Sequence, residues 1–187
     1  MKKFFLFFYV FFSIVSFGQD YHKYINPMIG TGGHGHTYPG ATVPFGMVQL
    51  SPDTRIDGSW DGCSGYHYDD KTIYGFSHTH LNGTGCSDYG DIMLMPTMGK
   101  ILLEKEFYSS TFSHSNEKAT AGFYSVKLDK NNIDVCLTTS TRVGFHEYTF
   151  NQSGAADIVL NLNHRDKLLY GKIHVIDDKT VEIGRAH

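Results

Sequence analysis

Glycine and proline are crowded into one stretch of this chain, and that crowding limits what it can fold into. Fourteen of the 20 glycines fall between Gly30 and Gly99, and all five prolines fall between Pro27 and Pro96. A backbone this rich in Gly and Pro cannot sustain a long helix, so it must form short strands joined by ordered turns and extended loops. The same stretch carries Tyr38, Phe45, Trp60, Tyr66, Tyr68, Tyr74, Phe76 and Tyr89. Loops with that much aromatic surface are packed rather than free.

Beyond residue 100 the pattern changes to period two. Tyr124, Val126 and Leu128 alternate with Phe123, Ser125 and Lys127, and Lys130-Asn131-Asn132 reads as a turn. Ile133, Val135 and Leu137 then alternate again, predicting a hairpin. Thr141–Phe150 supplies another strand, where a parity slip between Phe145 and Tyr148 predicts a bulge. Ala156–Asn163 and Lys172–Ile176 predict two more. With no helical stripe or heptad, the fold class is mostly β, an antiparallel β-sandwich with long Gly-rich loops.

The first residues read as an address. Lys2 and Lys3 precede an apolar run from Phe4 to Val15, followed by Ser16-Phe17-Gly18. The run is short for a membrane span and has the layout of a cleaved secretory signal, residues 1–18. The mature protein is thus expected to be exported, periplasmic or secreted from a bacterium, with no membrane span after cleavage. The 187 residues carry a formal charge of −3, and no basic run marks a nucleic-acid footprint. Residues 19–182 read as one β domain. Glu182–His187 breaks off in mid-pattern and resembles an adapter-encoded peptide, so 183–187 is expected to be a non-native tail on a domain that is truncated C-terminally.

Export permits disulfides, and there are three cysteines. At most one internal bridge can form. Cys63 and Cys86 share the Gly-rich region, and a bridge between them would contribute roughly 3 kcal/mol by chain entropy. Cys136, in Ile133-Asp134-Val135-Cys136-Leu137, is expected to be a buried strand residue.

Three clusters carry chemistry. Gly30-Thr31-Gly32-Gly33-His34-Gly35-His36 lacks the Lys-Ser/Thr ending of a phosphate loop, so its glycines point to positive φ and close backbone approach. Asp57-Gly58-Ser59-Trp60-Asp61-Gly62-Cys63 places the chain's only tryptophan between carboxylates on a turn. Such a ring can stack on the C–H face of a sugar while Asp and His bind hydroxyls, or it can plug a core edge. His78 and His80, two apart, would share one side of a strand. With His34 and His36 they form two His-x-His pairs that could hold zinc or copper, or simply hydrogen-bond to backbone or substrate; neither pair has the further ligands of a catalytic zinc site. No nucleophile elbow occurs, Asp88 and Asp91 lack a calcium-loop ladder, and no carboxylate pair is marked as acid and base.

Two long motifs resemble the beginning of glycoside hydrolase family ninety-two. They are Tyr24-Ile25-Asn26-Pro27-Met28-Ile29-Gly30-Thr31-Gly32-Gly33 with Pro39-Gly40-Ala41-Thr42-Val43-Pro44-Phe45-Gly46-Met47-Val48-Gln49-Leu50-Ser51-Pro52-Asp53, and Cys63-Ser64-Gly65-Tyr66 with Gly75-Phe76-Ser77-His78-Thr79-His80-Leu81-Asn82-Gly83-Thr84-Gly85. The resemblance implies the N-terminal domain of a calcium-dependent, inverting exo-α-mannosidase acting on mannose-containing glycans. It also implies a helical C-terminal domain holding the acid, the base and most calcium ligands, so no catalytic residue is expected in this chain and the chain alone is expected to be inactive. The resemblance makes Trp60, Asp61, Cys63, His78 and His80 the candidate pocket wall. The rival readings are a free-standing carbohydrate-binding module and an exported metal binder using the His-x-His pairs.

Overall fold

The computed structural model describes residues 20–186. The expected leader, residues 1–18, and His187 lie outside the described residues. The first half contributes short strands β1 (Ala41–Thr42), β2 (Gln49–Asp53), β3 (Thr72–Ile73), β4 (Gly75–Ser77) and β5 (Met93–Met98). A single helical turn, α1 (Lys105–Tyr108), leads to β6 (Ser110–Thr111). The second half adds β7 (Glu117–Thr120), β8 (Phe123–Leu128), β9 (Ile133–Thr139), β10 (Gly144–Phe150), β11 (Ala156–Asn161), β12 (Tyr170–Asp177) and β13 (Thr180–Ala186). The protein is therefore mostly β and antiparallel. Its five-stranded sheet has the order β1-β2-β4-β5-β11 and its four-stranded sheet the order β10-β9-β8-β7. The pairs β3–β6 and β12–β13 stand apart.

Alternation explains the four-stranded sheet. Tyr124, Val126 and Leu128 are buried, and so are their cross-strand partners Leu137, Val135 and Ile133. Each side chain buried this way contributes about 1.5–3 kcal/mol. Leu50, Phe76, Met93, Met95 and Val159, all from the five-stranded sheet, complete the same core. The β8–β9 turn falls where the asparagines predicted it: Asn131 and Asn132 take φ of 67° and 50°, a conformation asparagine tolerates.

Two local expectations are corrected. Strand β10 pairs with β9 in unbroken register from Gly144↔Thr139 to Phe150↔Ile133, so there is no bulge. Phe145 simply faces outward, while His146, Tyr148 and Phe150 share the inner side. Cys136 lies on β9 but on the face opposite Val135 and Leu137, only partly buried. Strand β13 runs on to Ala186, and there Arg185 Nε donates to the Leu162 carbonyl at 2.8 Å while the guanidinium pairs with Asp91.

One turn breaks the usual conformational preferences. Gly46 N–H donates to the Val43 carbonyl at 2.9 Å, closing a turn through Pro44 and Phe45. Phe45 takes φ 60°, at a place normally left to glycine, and its side chain is fully exposed at 102%. It stands at the rim of a cleft of ≈ 550 Å³ whose wall includes Tyr38, Val43, Gln49, His80 and Asn82. Phe45→Gly should raise stability by roughly 0.5–1 kcal/mol, because relief of left-handed strain exceeds the added chain entropy and no burial is lost. Urea denaturation would show it as a higher midpoint; a lower one would mean the ring contributes packing.

Candidate sugar-binding site

Trp60 is carried outward by consecutive turns. Asp57 Oδ1 accepts from Ser59 N–H at 3.0 Å, Cys63 N–H donates to the Trp60 carbonyl at 3.3 Å, and Gly65 N–H donates to Gly62 at 2.8 Å. The indole is 56% exposed, so it does not plug the core. Its inner side is supported by His36, edge-on with ring centroids 4.4 Å apart at 85°, and by Gly85. A Cβ on Gly85 would stand 3.0 Å from Trp60 Nε1, so bare backbone is what lets the ring lie there.

Three loops meet at this ring. His36 Nδ1 donates to the Thr84 carbonyl, which also accepts from Cys63 Sγ at 3.1 Å. Gly83 N–H returns to the His36 carbonyl at 2.7 Å. On the open side, His34 Nδ1 meets Asp61 Oδ1 at 2.9 Å, a hydrogen bond that holds the Asp61 carboxyl below its usual value. The Asp61 backbone is tied in turn, its carbonyl accepting from Arg55 Nη1 at 3.2 Å and Ser59 Oγ at 3.0 Å. Arg55 is anchored by Asp70, with Nη2 at 2.5 Å and Nε at 3.2 Å.

Of the five residues expected at a pocket wall, the structure brings Trp60, Asp61 and Cys63 together, with Cys63 buried beneath the other two loops. His78 and His80 lie elsewhere. Strand β4 ends at Ser77, so the two rings are not on a common strand face. His80 Nδ1 donates to the Gln49 carbonyl at 2.7 Å and Nε2 to Asp53 Oδ1 at 3.0 Å. Asp53 Oδ2 takes His164 Nε2 at 3.0 Å, so a fully buried carboxylate is clamped between two imidazoles. Burial alone would push that carboxyl up, but the His80 charge and hydrogen bonds from His164 and His80 hold it well below the carboxylate range. Gly65 makes room for the clamp: at φ +104° a Cβ there would stand 2.6 Å from Asp53 Oδ1.

His78 belongs to a second chain of rings. Its Nδ1 donates to the Ile92 carbonyl at 2.6 Å, leaving Nε2 to accept from His146 Nε2 at 3.1 Å, while Tyr148 OH donates to His146 Nδ1 at 2.7 Å. Every hydrogen is thereby assigned with both imidazoles neutral. Burial pushes His78 down, and burial with the neighbouring His78 pushes His146 down to about 3. A histidine depressed in the folded state stabilises fully above its unfolded value, near 6.5, and that contribution is lost as pH falls toward 3. Stability should therefore decline by up to about 1.4 kcal/mol per pH unit between pH 6 and 4. Urea midpoints across that window would test it, and His146→Gln should remove most of the slope.

The cysteine pairing is also corrected. Cys63, Cys86 and Cys136 are all free thiols, and Cys63 spends its hydrogen on Thr84 rather than bonding to Cys86. The two His-x-His pairs do not converge. Each of the four rings has a different oxygen or nitrogen partner, and no group of three His, Cys, Asp or Glu among the described residues is placed to hold a metal ion.

The family model for the glycosyl hydrolase family 92 N-terminal domain matches residues 24–186. The chain belongs to glycosyl hydrolase family 92. A family 92 α-mannosidase from Bacteroides thetaiotaomicron, solved with mannoimidazole, is 37% identical with a TM-score of 0.81, covering 86% of this chain and 22% of that one. A family 92 inverting mannosidase from the same organism is 33% identical with a TM-score of 0.65, covering 74% and 19%. An uncharacterized secreted glycosidase of Arthroderma benhamiae is 29% identical over 143 residues, 73% of this chain and 18% of the relative. This chain thus spans about a fifth of the length of the family 92 proteins it matches. No helix among the described residues is long and apolar enough to cross a membrane.

Proposed function

We propose that this chain is the N-terminal part of an exported, inverting exo-α-mannosidase that trims mannose from glycans, supplying pocket loops while the acid and base lie outside it. The observation that carries this reading is the family match over residues 24–186 in a chain that spans about a fifth of its relatives. The Trp60 ledge supports it, since an exposed indole flanked by Asp61 and His34 suits a sugar ring. In the whole enzyme a protonated carboxyl would give its proton to the leaving oxygen, and a carboxylate roughly 6.5–9.5 Å away would activate water on the opposite ring face.

Calcium is part of the same proposal, but the residues here do not fit it. A hard cation takes six to eight oxygens. Asp53 is committed to two imidazoles, and Asp91 to Arg185 and Thr79. Any calcium would be held by residues beyond this chain, in a helical domain that could cover exposed apolar side chains such as Ile29, Phe45 and Met47.

The test is activity by parts. The folded 187-residue chain should release no mannose from an aryl α-mannoside, whereas a continuous reading frame several hundred codons longer should release it with inverted anomeric configuration. Turnover by the 187-residue chain would overturn the proposal. A stop directly after codon 187 would leave a free-standing sugar-binding module.

A further inference from the structure

We propose that Arg165 is a positioning residue for the Trp60 ledge: its guanidinium staples together the two loops that build the ledge, so that the indole stands in one place before a sugar arrives. The inference rests on the reading of the Trp60 loop as a pocket wall.

Arg165 follows β11 and comes from a part of the sequence far from the ledge. Its Nη2 donates to the Cys63 carbonyl at 2.7 Å and to Ser87 Oγ at 2.8 Å, 102 and 78 positions away. Both acceptors belong to the ledge. Cys63 N–H closes the turn back to the Trp60 carbonyl, and Ser87 lies just beyond Gly85, the bare backbone against Trp60 Nε1. One nitrogen therefore ties the loop that carries the indole to the loop on which the ring rests. The path to that point is kept clear as well. Gly90 takes φ +82°, and a Cβ there would stand 2.6 Å from Arg165 Cδ, while a Cβ on Gly65 would stand 3.0 Å from Nη1.

The fold itself gains little from this arrangement. Arg165 Nε and Nη1 are enclosed with no hydrogen-bond partner among the described residues. A buried guanidinium that leaves two nitrogens unsatisfied costs stability, and an apolar side chain of similar volume often serves as well or better. What the arginine does supply is geometry: the two hydrogens of Nη2 lie in the plane of a rigid group, so both acceptors are held in one arrangement. An indole fixed in advance matters because each side chain ordered only on binding weakens the complex.

The experiment uses the 187-residue chain and two variants. Arg165→Met keeps the stem along Gly90 and removes the head, and Ser87→Ala cuts one arm of the staple at an exposed residue. Trp60 is the only tryptophan, so time-resolved fluorescence anisotropy reads the motion of the ledge directly. The parent indole should show little motion faster than overall tumbling. Both variants should show more, Arg165→Met the larger amount, with circular dichroism unchanged and the Arg165→Met urea midpoint unchanged or higher. Ligand-observed NMR titration with methyl α-mannoside should then give binding about two- to tenfold weaker in Arg165→Met, the cost of ordering one side chain on binding. Trp60→Ala should lose at least as much.

Indole motion is a readout that a merely structural role would not move at constant stability. If it is unchanged in both variants, the positioning role is overturned and the pocket wall stands. If Arg165→Met lowers the midpoint, Ser87→Ala alone decides: more indole motion at the parent midpoint supports the staple, and none overturns it. A mannoside affinity that is equal in the parent and Trp60→Ala, or absent from both, ends the pocket-wall reading, and the positioning role for a sugar ends with it.

Discussion

Glu117→Ala is expected to destabilise the protein by roughly 3–5 kcal/mol, the cost of removing one partner from a buried charged network. The Glu117 carboxylate is almost wholly enclosed, and three side chains converge on it. Tyr66 OH donates to its two oxygens at 2.9 and 3.0 Å, Tyr124 OH donates at 2.7 Å, and His114 Nδ1 approaches at 2.6 Å. The other nitrogen of His114 donates to the Tyr68 carbonyl at 2.6 Å, so that ring faces oxygen acceptors on both sides. Burial, followed by the Glu117 charge, pushes both phenols upward, so they stay protonated donors. Without the carboxylate, two completely buried hydroxyls lose their acceptor. Urea denaturation at pH 7 would measure the loss. Glu117→Gln should lose less, because it keeps one acceptor oxygen and the volume. A near-neutral Glu117→Ala would mean water replaces the carboxylate.

Asp53→Ala should be at least as damaging, with an expected loss of roughly 3–5 kcal/mol, because it strands two buried imidazoles instead of one. The acid dependence carries a definite sign. The carboxyl is depressed in the folded protein, against about 3.9 in the unfolded chain. Its contribution is therefore complete above about pH 4 and lost as pH falls below it. Denaturation curves from pH 7 to 2.5 should show this fall in the parent. Asp53→Asn should be weaker at pH 7 and flatter below pH 4. A parent-like midpoint at pH 7 in either variant would show that the clamp is not needed.

The parts legible in the sequence were those with a local cause. The β8–β9 hairpin follows from alternation and two adjacent asparagines, and its buried residues are the ones the period picks out. The turn that carries Trp60 was legible from its Gly, Ser and Asp neighbours, but whether the indole faced outward or plugged a core edge was not. What could not be read was long-range pairing. Nothing near Asp53 announces His164, 111 positions later, and nothing near His34 announces Asp61. The His-x-His spacing misled for the same reason: it assumes a strand continues, but β4 stops at Ser77, three residues short of His80. The bulge expected in β10 came from counting Phe145 as core, when a solvent-facing aromatic obeys the pleat equally well.

The Asp53–His164 contact also has a kinetic consequence. The four-stranded sheet joins only strands that are neighbours in sequence, so short loop closures suffice to build it. The five-stranded sheet cannot finish until β11 reaches β5 and His164 reaches Asp53. Folding should then be sequential, with β7 to β10 forming early and the Gly-rich half locking last. Until residue 164 arrives, the loops that carry Trp60 have no closed scaffold beneath them, so the Trp60 ledge is among the last parts of the molecule to come into being.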